Sequence, residues 1–417
     1  MRLVAGRGGL WRHGDFASLW AAQSISQFGT QISQLALPLV AVLVLDASAF
    51  EVSLLGALEF LPFLLFALPA GVWVDRLRRK PILVLADLGR ALALASIPLA
   101  ALFDAITIWQ LYAVGFAVGT LTVAFDVAYQ SYLPALIGRG QLVEGNSKLE
   151  LSRSAAQIGG PGLGGILVAA LTAPYAVAAD AVSFLVSALF LRRIRTVEPP
   201  PEHVELRSLR TELWEGLRYM FGDPRWRAFA GYVSSINLFS AVVFGVLIVY
   251  AVRNLGLSAV EIGLVFSLSN VGSLVAALFA GRIARRVGVG RTLILAGILS
   301  GMPLLVLPLA TREHSIPLLL GPLAVEAFAI VLFNVTGISY IQSVVPNRIL
   351  GRMTASRRFV VWGTIPIGTI LGGVLATAIG LRETILVGAL AATFCFLWLV
   401  FSPFRSIHAA PALEGDA

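Results

Sequence analysis

Long apolar stretches recur along the chain, and short polar segments separate them. Each stretch is close to the roughly 20 residues that a helix needs to cross the hydrocarbon core of a bilayer. Backbone polar groups in lipid must be satisfied within their own element, so the pattern predicts membrane-spanning helices. We number the twelve predicted spans in chain order: residues 16–45, 50–74, 81–103, 107–134, 146–171, 174–191, 226–251, 259–281, 291–311, 316–340, 355–379 and 382–404.

Composition agrees with a chain whose surroundings are lipid. Of 417 residues, 58% are hydrophobic and 13% are charged, against about a quarter charged in a soluble domain. A soluble enzyme is therefore excluded, and the sequence contains no nucleotide-binding loop of the Gly-x-x-x-x-Gly-Lys-Ser/Thr type. The net charge of +8 comes from basic residues between apolar stretches, which does not predict nucleic-acid binding. The single cysteine, Cys395, rules out an intramolecular disulfide and a cysteine-based metal site.

The distribution of Lys and Arg predicts the orientation of the spans. If the N-terminus lies inside, 27 of the 31 basic residues fall on the inner side, and Arg253, Arg312 and Arg382 fall on the outer side. Basic residues stay preferentially on the cytoplasmic side of short loops. We therefore expect a multi-pass protein of the cytoplasmic (inner) membrane with both termini in the cytoplasm.

The longest hydrophilic segment, residues 192–225, divides the chain nearly in half. Its Leu206, Leu209, Leu213 and Leu217 stand at helical spacing among charges, which predicts an amphipathic helix along the cytoplasmic membrane surface. The predicted organisation is a six-helix bundle over residues 1–191, this linker over 192–225, a second six-helix bundle over 226–405 and a cytoplasmic tail over 406–417.

The two halves of the chain repeat one another. At an offset of 210 residues, three residues recur unchanged: Ser48 as Ser258, Glu51 as Glu261 and Gly71 as Gly281. Six spans per half is an even number, so the two repeats have the same orientation. Parallel repeats place a solute site between the halves near the midplane and allow alternating access. The predicted fold is thus an all-α integral membrane protein with twelve transmembrane helices in two parallel six-helix repeats.

The segment between spans two and three, residues 71–80 (GVWVDRLRRK), resembles the loop signature of the major facilitator superfamily. Asp75 can face the positive N-terminus of a helix. In that family the loop latches the cytoplasmic gate, so the resemblance implies this role for Gly71, Asp75, Arg76 and Arg79. Arg78 replaces the second glycine of the signature. The alternative is a basic loop that only fixes topology.

Span five carries a glycine-proline motif formed by Gly160, Pro161, Gly164 and Gly165. It resembles the fifth-helix motif of the superfamily's antiporters, which implies export, although Ala156 stands where a glycine is usual. Close helix packing is the alternative. The segments 126–134 and 144–147 are similar to the branch of drug and siderophore exporters related to macrolide and enterobactin efflux proteins.

Six ionisable residues fall within the spans, where an ionised side chain costs roughly 2.5–3.5 kcal/mol. Asp87 and Arg90 are three residues apart and predict a structural pair on one helix face. The resemblance implies that spans three, six, nine and twelve are peripheral, so Asp180 on span six is also expected to be structural. Asp126 is a candidate for either the gate or proton coupling.

The remaining two acids, Glu59 on span two and Glu326 on span ten, both lie about ten residues from the outer face. We predict that at least one takes up and releases a proton during transport. The alternative for each is a satisfied packing or hydrogen-bonding role. The expected coupling ion is the proton, with no other cofactor and no metal.

Span one carries a polar stripe too hydrophilic to face lipid. Candidates for the solute cavity are these residues and two amides of the second half: Gln23, Gln27, Gln31, Gln34, Asn237 and Asn270. Hydrogen bonding between helices is the alternative reading.

Together these features predict a proton-coupled exporter of a small amphipathic compound, such as a drug or a siderophore-like metabolite. The alternatives are an importer or facilitator of a small nutrient, or a receptor or scaffold that does not transport. The expected partners are membrane lipid and a small-molecule substrate, without nucleic acid, and the resemblance implies a monomer.

Overall fold

A computed structural model describes residues 9–196, 198, 209–345 and 347–407, and within these ranges all regular structure is helical. Helices of the first half correspond to spans one to six: α1 (Gly14–Leu43), α2 (Ala49–Asp75), α3 (Arg79–Ala101), α4 (Ile108–Ile137), α5 (Leu142–Leu171) and α6 (Ala173–Arg193). Those of the linker and second half are α7 (Leu209–Gly222), α8 (Pro224–Arg253), α9 (Ala259–Ser269), α10 (Val271–Val287), α11 (Val289–Gly301), α12 (Ser315–Val344), α13 (Asn347–Ile379), α14 (Leu381–Phe394) and α15 (Leu397–Val400).

Eleven stretches of helix in the described residues are long and apolar enough to cross a membrane. The first predicted span, α1, falls short of that apolarity because Gln23, Gln27, Gln31 and Gln34 lower its hydropathy. Its 30 residues nevertheless reach about 45 Å, longer than the hydrocarbon core is thick. The prediction of an all-α membrane fold is confirmed.

Three predicted spans in the second half are interrupted. Span eight divides into α9 and α10 at Asn270, and span twelve divides into α14 and α15 near Cys395. Span nine begins as α11 and continues as a 3-10 helix over Met302–Leu309. Pro303 is the second residue of this segment and Pro308 lies inside it, and proline lacks the N–H that an α-helix needs. Spans seven, ten and eleven are α8, α12 and α13.

The repeated Ser-Glu pair has the same structural task in both halves. Ser48 is the N-cap of α2, where its Oγ accepts from the Glu51 amide and the Glu51 carboxylate accepts from the Ser48 amide. Ser258 and Glu261 form the same capping box at α9. Each box satisfies amides that a helix N-terminus otherwise leaves unpaired.

Removing the cap of α2 tests this assignment. Ser48→Ala is expected to weaken the first turn by about 1 kcal/mol, because the Glu51 amide loses its acceptor. Amide hydrogen exchange at residues 49–52 should then become roughly fivefold faster. Ser18→Ala is the control, since the Ser18 hydroxyl bonds to the Gly14 carbonyl and caps no amide. Unchanged exchange in Ser48→Ala would contradict the capping role.

The helices pack as two groups that meet along two pairs. In the first half α1 packs on α5 and α6, α2 on α4, and α3 on α4 and α6. In the second half α8 packs on α13 and α14, and α12 packs on α10 and α11. The halves join where α2 contacts α13 and α5 contacts α9. The linker helix α7 packs on α8 and α13, and Leu206 of the predicted amphipathic helix lies outside the described residues.

We call the side on which α1 begins and α6 ends the terminal face, and the opposite side the loop face. Among the described residues, hydrogen bonds join the two halves towards the loop face. There Ser53 of α2 donates to the Gly245 carbonyl of α8 at 3.1 Å. Arg253 also donates to the Asp46 carboxylate at 2.6 Å and to the Ala47 carbonyl at 2.9 Å.

Candidate functional site

A cavity of about 250 Å³ lies among the helices of the first half. Residues of α1, α2, α3, α4 and α6 line it, and Trp362 of α13 is the contribution of the second half among the described lining residues. The parallel repeats predict a site between the halves. The structure places this cavity on one side of that interface, because residues of the first half face each other around it.

Glu59 of α2 lines this cavity at a close contact between two helices. Gly115 and Gly119 of α4 let α4 approach so closely that a side chain at Gly119 would collide with the Glu59 carbonyl. The Glu59 Oε1 atom is buried and has no hydrogen-bond partner among the described residues. A buried polar atom normally has a partner, so this unpaired oxygen is a candidate to take up a proton.

Asp87 and Arg90 form an ion pair on α3, and both side chains are almost fully buried. Ser187 of α6 donates to the second Asp87 oxygen at 2.6 Å. The Arg90 guanidinium lies 4.5 Å from the Phe125 ring centroid and 4.1 Å from that of Phe184. Arg90 is thus held by charge on one side and by aromatic faces on two others.

Arg90 and Asp180 also line the cavity, although the resemblance implies that their helices are peripheral. The long Arg90 side chain reaches between α4 and α6, where it lies within 3.4 Å of the Thr122 hydroxyl. Asp180 accepts from Ser183 at 2.9 Å and faces α1 at Gly29, where a larger residue would collide with its carboxylate. Helices three and six therefore contribute charge to this site. Asp126 of α4 belongs to the same lining.

Breaking the buried ion pair should be costly. Arg90→Met leaves the Asp87 carboxylate without its counter-charge, which is expected to cost about 3–5 kcal/mol. Thermal unfolding of the detergent-solubilised protein measures the effect. The double variant Asp87→Leu with Arg90→Met should recover much of the lost stability, since no buried charge is left unpaired. Equal stability of the single variant and the original chain would contradict a structural pair.

The polar stripe of α1 divides between two surroundings. Gln23, Gln27 and Gln34 line the cavity. Gln31 donates to Gln34 at 3.0 Å and packs against Gly160 of α5.

The two asparagines of the second half lie outside this lining and bond to other helices. Asn237 of α8 donates to the Val361 carbonyl at 3.2 Å. Asn270, at the break between α9 and α10, donates to the Gln157 carbonyl of α5 at 3.0 Å. Both asparagines thus form hydrogen bonds between helices, which is the alternative to a place in the solute cavity. The Asn270 bond also joins the two halves.

Glu326 of α12 is 6% exposed and lies outside the lining of this cavity. The sequence places Glu59 and Glu326 at similar membrane depths. In the structure, Glu59 is the one that borders the cavity.

A carboxylate from outside the gate loop, that of Glu198, binds at its end, and no sequence motif assigns it there. The surroundings of Gly71 and of the Asp75 side chain lie outside the described residues, and Arg76 is exposed at the end of α2. At the start of α3, the Glu198 carboxylate accepts from the amides of Arg79 and Lys80 at 2.7 and 2.6 Å. An anion at a helix N-terminus is stabilising. Glu198 follows α6 by five residues, and sequence alone gives no reason to bring it to α3.

The span-five motif places α5 between the halves. Gly160 packs on Gln31, and Gly164 packs on the backbone of Ile32, both in α1. A side chain at Gly165 would collide with the Ala259 carbonyl of α9, and one at Gly263 would lie 2.5 Å from the Pro161 carbonyl. These reciprocal glycine contacts bring α5 and α9 together across the interface.

Comparisons with known proteins agree with this architecture. The chain is 27% identical over 388 residues to the multidrug efflux pump Tap of Mycolicibacterium fortuitum, across 90% of this chain and 92% of Tap. It is 25% identical over 286 residues to the enterobactin exporter EntS of Escherichia coli O127:H6, across 68% of this chain and 67% of EntS.

Solved structures share the fold at low sequence identity. The nucleoside transporter NupG matches with a TM-score of 0.73 and 13% identity, over 93% of this chain and 99% of NupG. An inward-facing bacterial homologue of the iron transporter ferroportin matches with a TM-score of 0.67 and 19% identity, over 92% and 98%. The sequence family described as Transmembrane secretion effector matches residues 9–414. The chain therefore belongs to this family of transporters, a branch of the major facilitator superfamily.

Proposed function

We propose that the protein is a secondary transporter that exports a small amphipathic compound, such as a drug or siderophore-like metabolite, in exchange for protons. The observation that supports the proposal is the position of Glu59. This residue borders a cavity of about 250 Å³, and its buried Oε1 lacks a hydrogen-bond partner among the described residues. A carboxyl group there can hold a proton when the solute is absent and release it when the solute binds. The proton is the coupling ion, and the proposal requires no other cofactor.

The distribution of basic residues predicts how the protein is oriented in the membrane, and this orientation supports export. We place the terminal face in the cytoplasm, because 27 of the 31 Lys and Arg residues fall on that side of the predicted spans. On the loop face, Arg253, Arg312 and Arg382 donate to backbone carbonyls, those of Ala47, Asn254 and Pro308. The membrane is the cytoplasmic (inner) membrane, and the protein acts there as a monomer surrounded by lipid.

With this orientation, the described contacts between the halves extend from the middle of the membrane to its outer side. The glycine contacts of α5 with α9 and the Arg253–Asp46 ion pair close that side. We take this arrangement as a state that faces the cytoplasm and loads solute from within. Rocking of the halves about α5–α9 and α2–α13 delivers the solute outward. Tap and EntS, which are named as an efflux pump and an exporter, support this direction.

Transport into inside-out membrane vesicles tests the proposal. Respiring vesicles that contain the protein should accumulate dyes such as ethidium or doxorubicin, and an uncoupler should abolish the accumulation. Vesicles from cells without the protein are the control. Protein-dependent uptake that is insensitive to the uncoupler would point to a facilitator instead, and the absence of accumulation for a broad set of compounds would contradict export.

A further inference from the structure

The charges and rings of the cavity define a class of solute. We propose that the cavity in the first half binds an organic cation, with its positive group between Glu59 and the aromatic side chains Phe60, Phe63 and Trp362. The inference rests on the proposed transport function and names the solute class for the same site.

The charged side chains of the lining favour a positive solute. Three carboxyl groups border the cavity, those of Glu59, Asp126 and Asp180. Arg90 is the basic residue in the described lining, and it is already paired with Asp87, which stands behind the cavity wall. Glu59 and Asp180 alone make the lining formally acidic, because Asp87 offsets Arg90. A positive solute gains from this arrangement, and a negative one meets repulsion in surroundings of low dielectric constant.

Glu59 also favours a positive solute, because its Oε1 has no hydrogen-bond partner among the described residues. The Asp180 carboxylate accepts from Ser183, so part of its bonding capacity is used. Gly115 of α4 holds no side chain next to Glu59, and a methyl group there would lie 3.2 Å from the Glu59 Cγ. The Glu59 carboxyl group is thus held at the cavity wall, and among the described residues no hydrogen-bond donor offsets charge at its Oε1.

Aromatic side chains of the lining favour a cation as well. Phe60, Phe63 and Trp362 line the cavity, and the rings of Phe63 and Trp362 lie 4.9 Å apart at an interplanar angle of 57°. Ring faces attract cations, and the protein already uses this attraction to hold Arg90 between Phe125 and Phe184. Trp362 comes from α13, so a cation bound at these rings contacts both halves of the transporter.

The same rings favour an organic cation over a metal ion. Metal cations of the hard type are bound by six to eight oxygen ligands or by ordered water. In this lining, carboxyl groups stand beside phenyl and indole faces and glycine backbone, which suit an alkylated or aromatic ammonium group. A volume of about 250 Å³ is close to the lower end of the usual range for small-molecule sites.

Two hydrophobic ions of the same shape and opposite charge test the proposal. Equilibrium dialysis of the purified full-length protein in detergent would measure binding of tetraphenylphosphonium, a cation, and tetraphenylborate, an anion, each corrected for detergent alone. Tetraphenylphosphonium is expected to bind at least about tenfold more tightly. Glu59→Gln and Trp362→Leu should each weaken its binding by about fivefold or more, and Trp362→Phe should weaken it less.

The matched control is Glu326→Gln, which removes a buried acid outside this cavity and should leave cation binding within about twofold. Equal affinity for the two ions, or displacement of tetraphenylphosphonium by micromolar Mn²⁺, would overturn the organic-cation assignment. Size-exclusion profiles and helical circular dichroism verify that each variant is folded. If vesicle uptake requires the gradient but shows no preference for cations, this inference alone fails. If cations bind as described but are not transported, the proposed function fails instead.

Discussion

Glu59→Gln is expected to abolish proton-driven accumulation of solute in inside-out vesicles, reducing the initial rate by roughly 100-fold. Glutamine has nearly the same size and one amide oxygen in place of the two carboxylate oxygens, but it cannot bind and release a proton. The side chain sits against Gly115 and Gly119 of α4, so a substitution of equal volume should preserve the packing. Uptake of ethidium with and without an imposed pH gradient measures the effect.

Glu326→Gln separates the two candidate proton carriers. Glu326 lies outside the cavity lining, so its substitution is expected to retain gradient-dependent uptake, and the double variant should match Glu59→Gln alone. If Glu326→Gln stops gradient-driven uptake and Glu59→Gln does not, coupling belongs to the second half. If uptake in both single variants and in the double variant equals that of the unmodified protein, neither acid carries the proton.

Gly165→Leu is expected to have the second large effect, lowering transport more than about tenfold. The new side chain would collide with the Ala259 carbonyl of α9 where the halves meet. Overpacking of this kind costs about 1–3 kcal/mol, and here the cost falls on the state in which the loop face is closed. The variant should therefore unfold at a lower temperature and transport poorly.

Gly321→Leu is the matched control for this substitution. Gly321 also lies in a membrane helix, α12, but no atom of the described residues lies within 4 Å of a Cβ added there, apart from its own helix backbone. It should express, unfold and transport like the unmodified protein. Equal effects at Gly165 and Gly321 would mean that glycine acts through helix flexibility and that the α5–α9 contact is not the cause.

The positions of the helices follow from the sequence because hydropathy and capping are local properties. The Ser48–Glu51 and Ser258–Glu261 pairs are visible as a repeat, and both form the cap that begins a helix. The break of span eight at Asn270 is not visible in hydropathy, since the bond from Asn270 to Gln157 depends on a helix 113 residues away. Long-range contacts of this kind decide where an apolar stretch is interrupted.

The candidate site is only partly predictable, because membrane depth does not determine the direction in which a side chain points. Glu59 and Glu326 share a predicted depth, yet rotation of each helix against its neighbours places only Glu59 at the cavity described here. Arg90 reaches the cavity from a helix expected to be peripheral, since its side chain extends between α4 and α6. Trp362 joins the lining because α13 packs on α2, which no local pattern reveals.

In the proposed mechanism, solute and proton exchange through the cavity of the first half. The most direct test records both movements at once in liposomes that contain the purified protein, with an acidic lumen, ethidium outside, trapped DNA to report its entry and a trapped pH dye. We expect saturable ethidium entry accompanied by a rise in lumenal pH, both lost in Glu59→Gln and both retained in Glu326→Gln. Protein-dependent ethidium entry with no change in lumenal pH, or exchange that persists in Glu59→Gln, would contradict it.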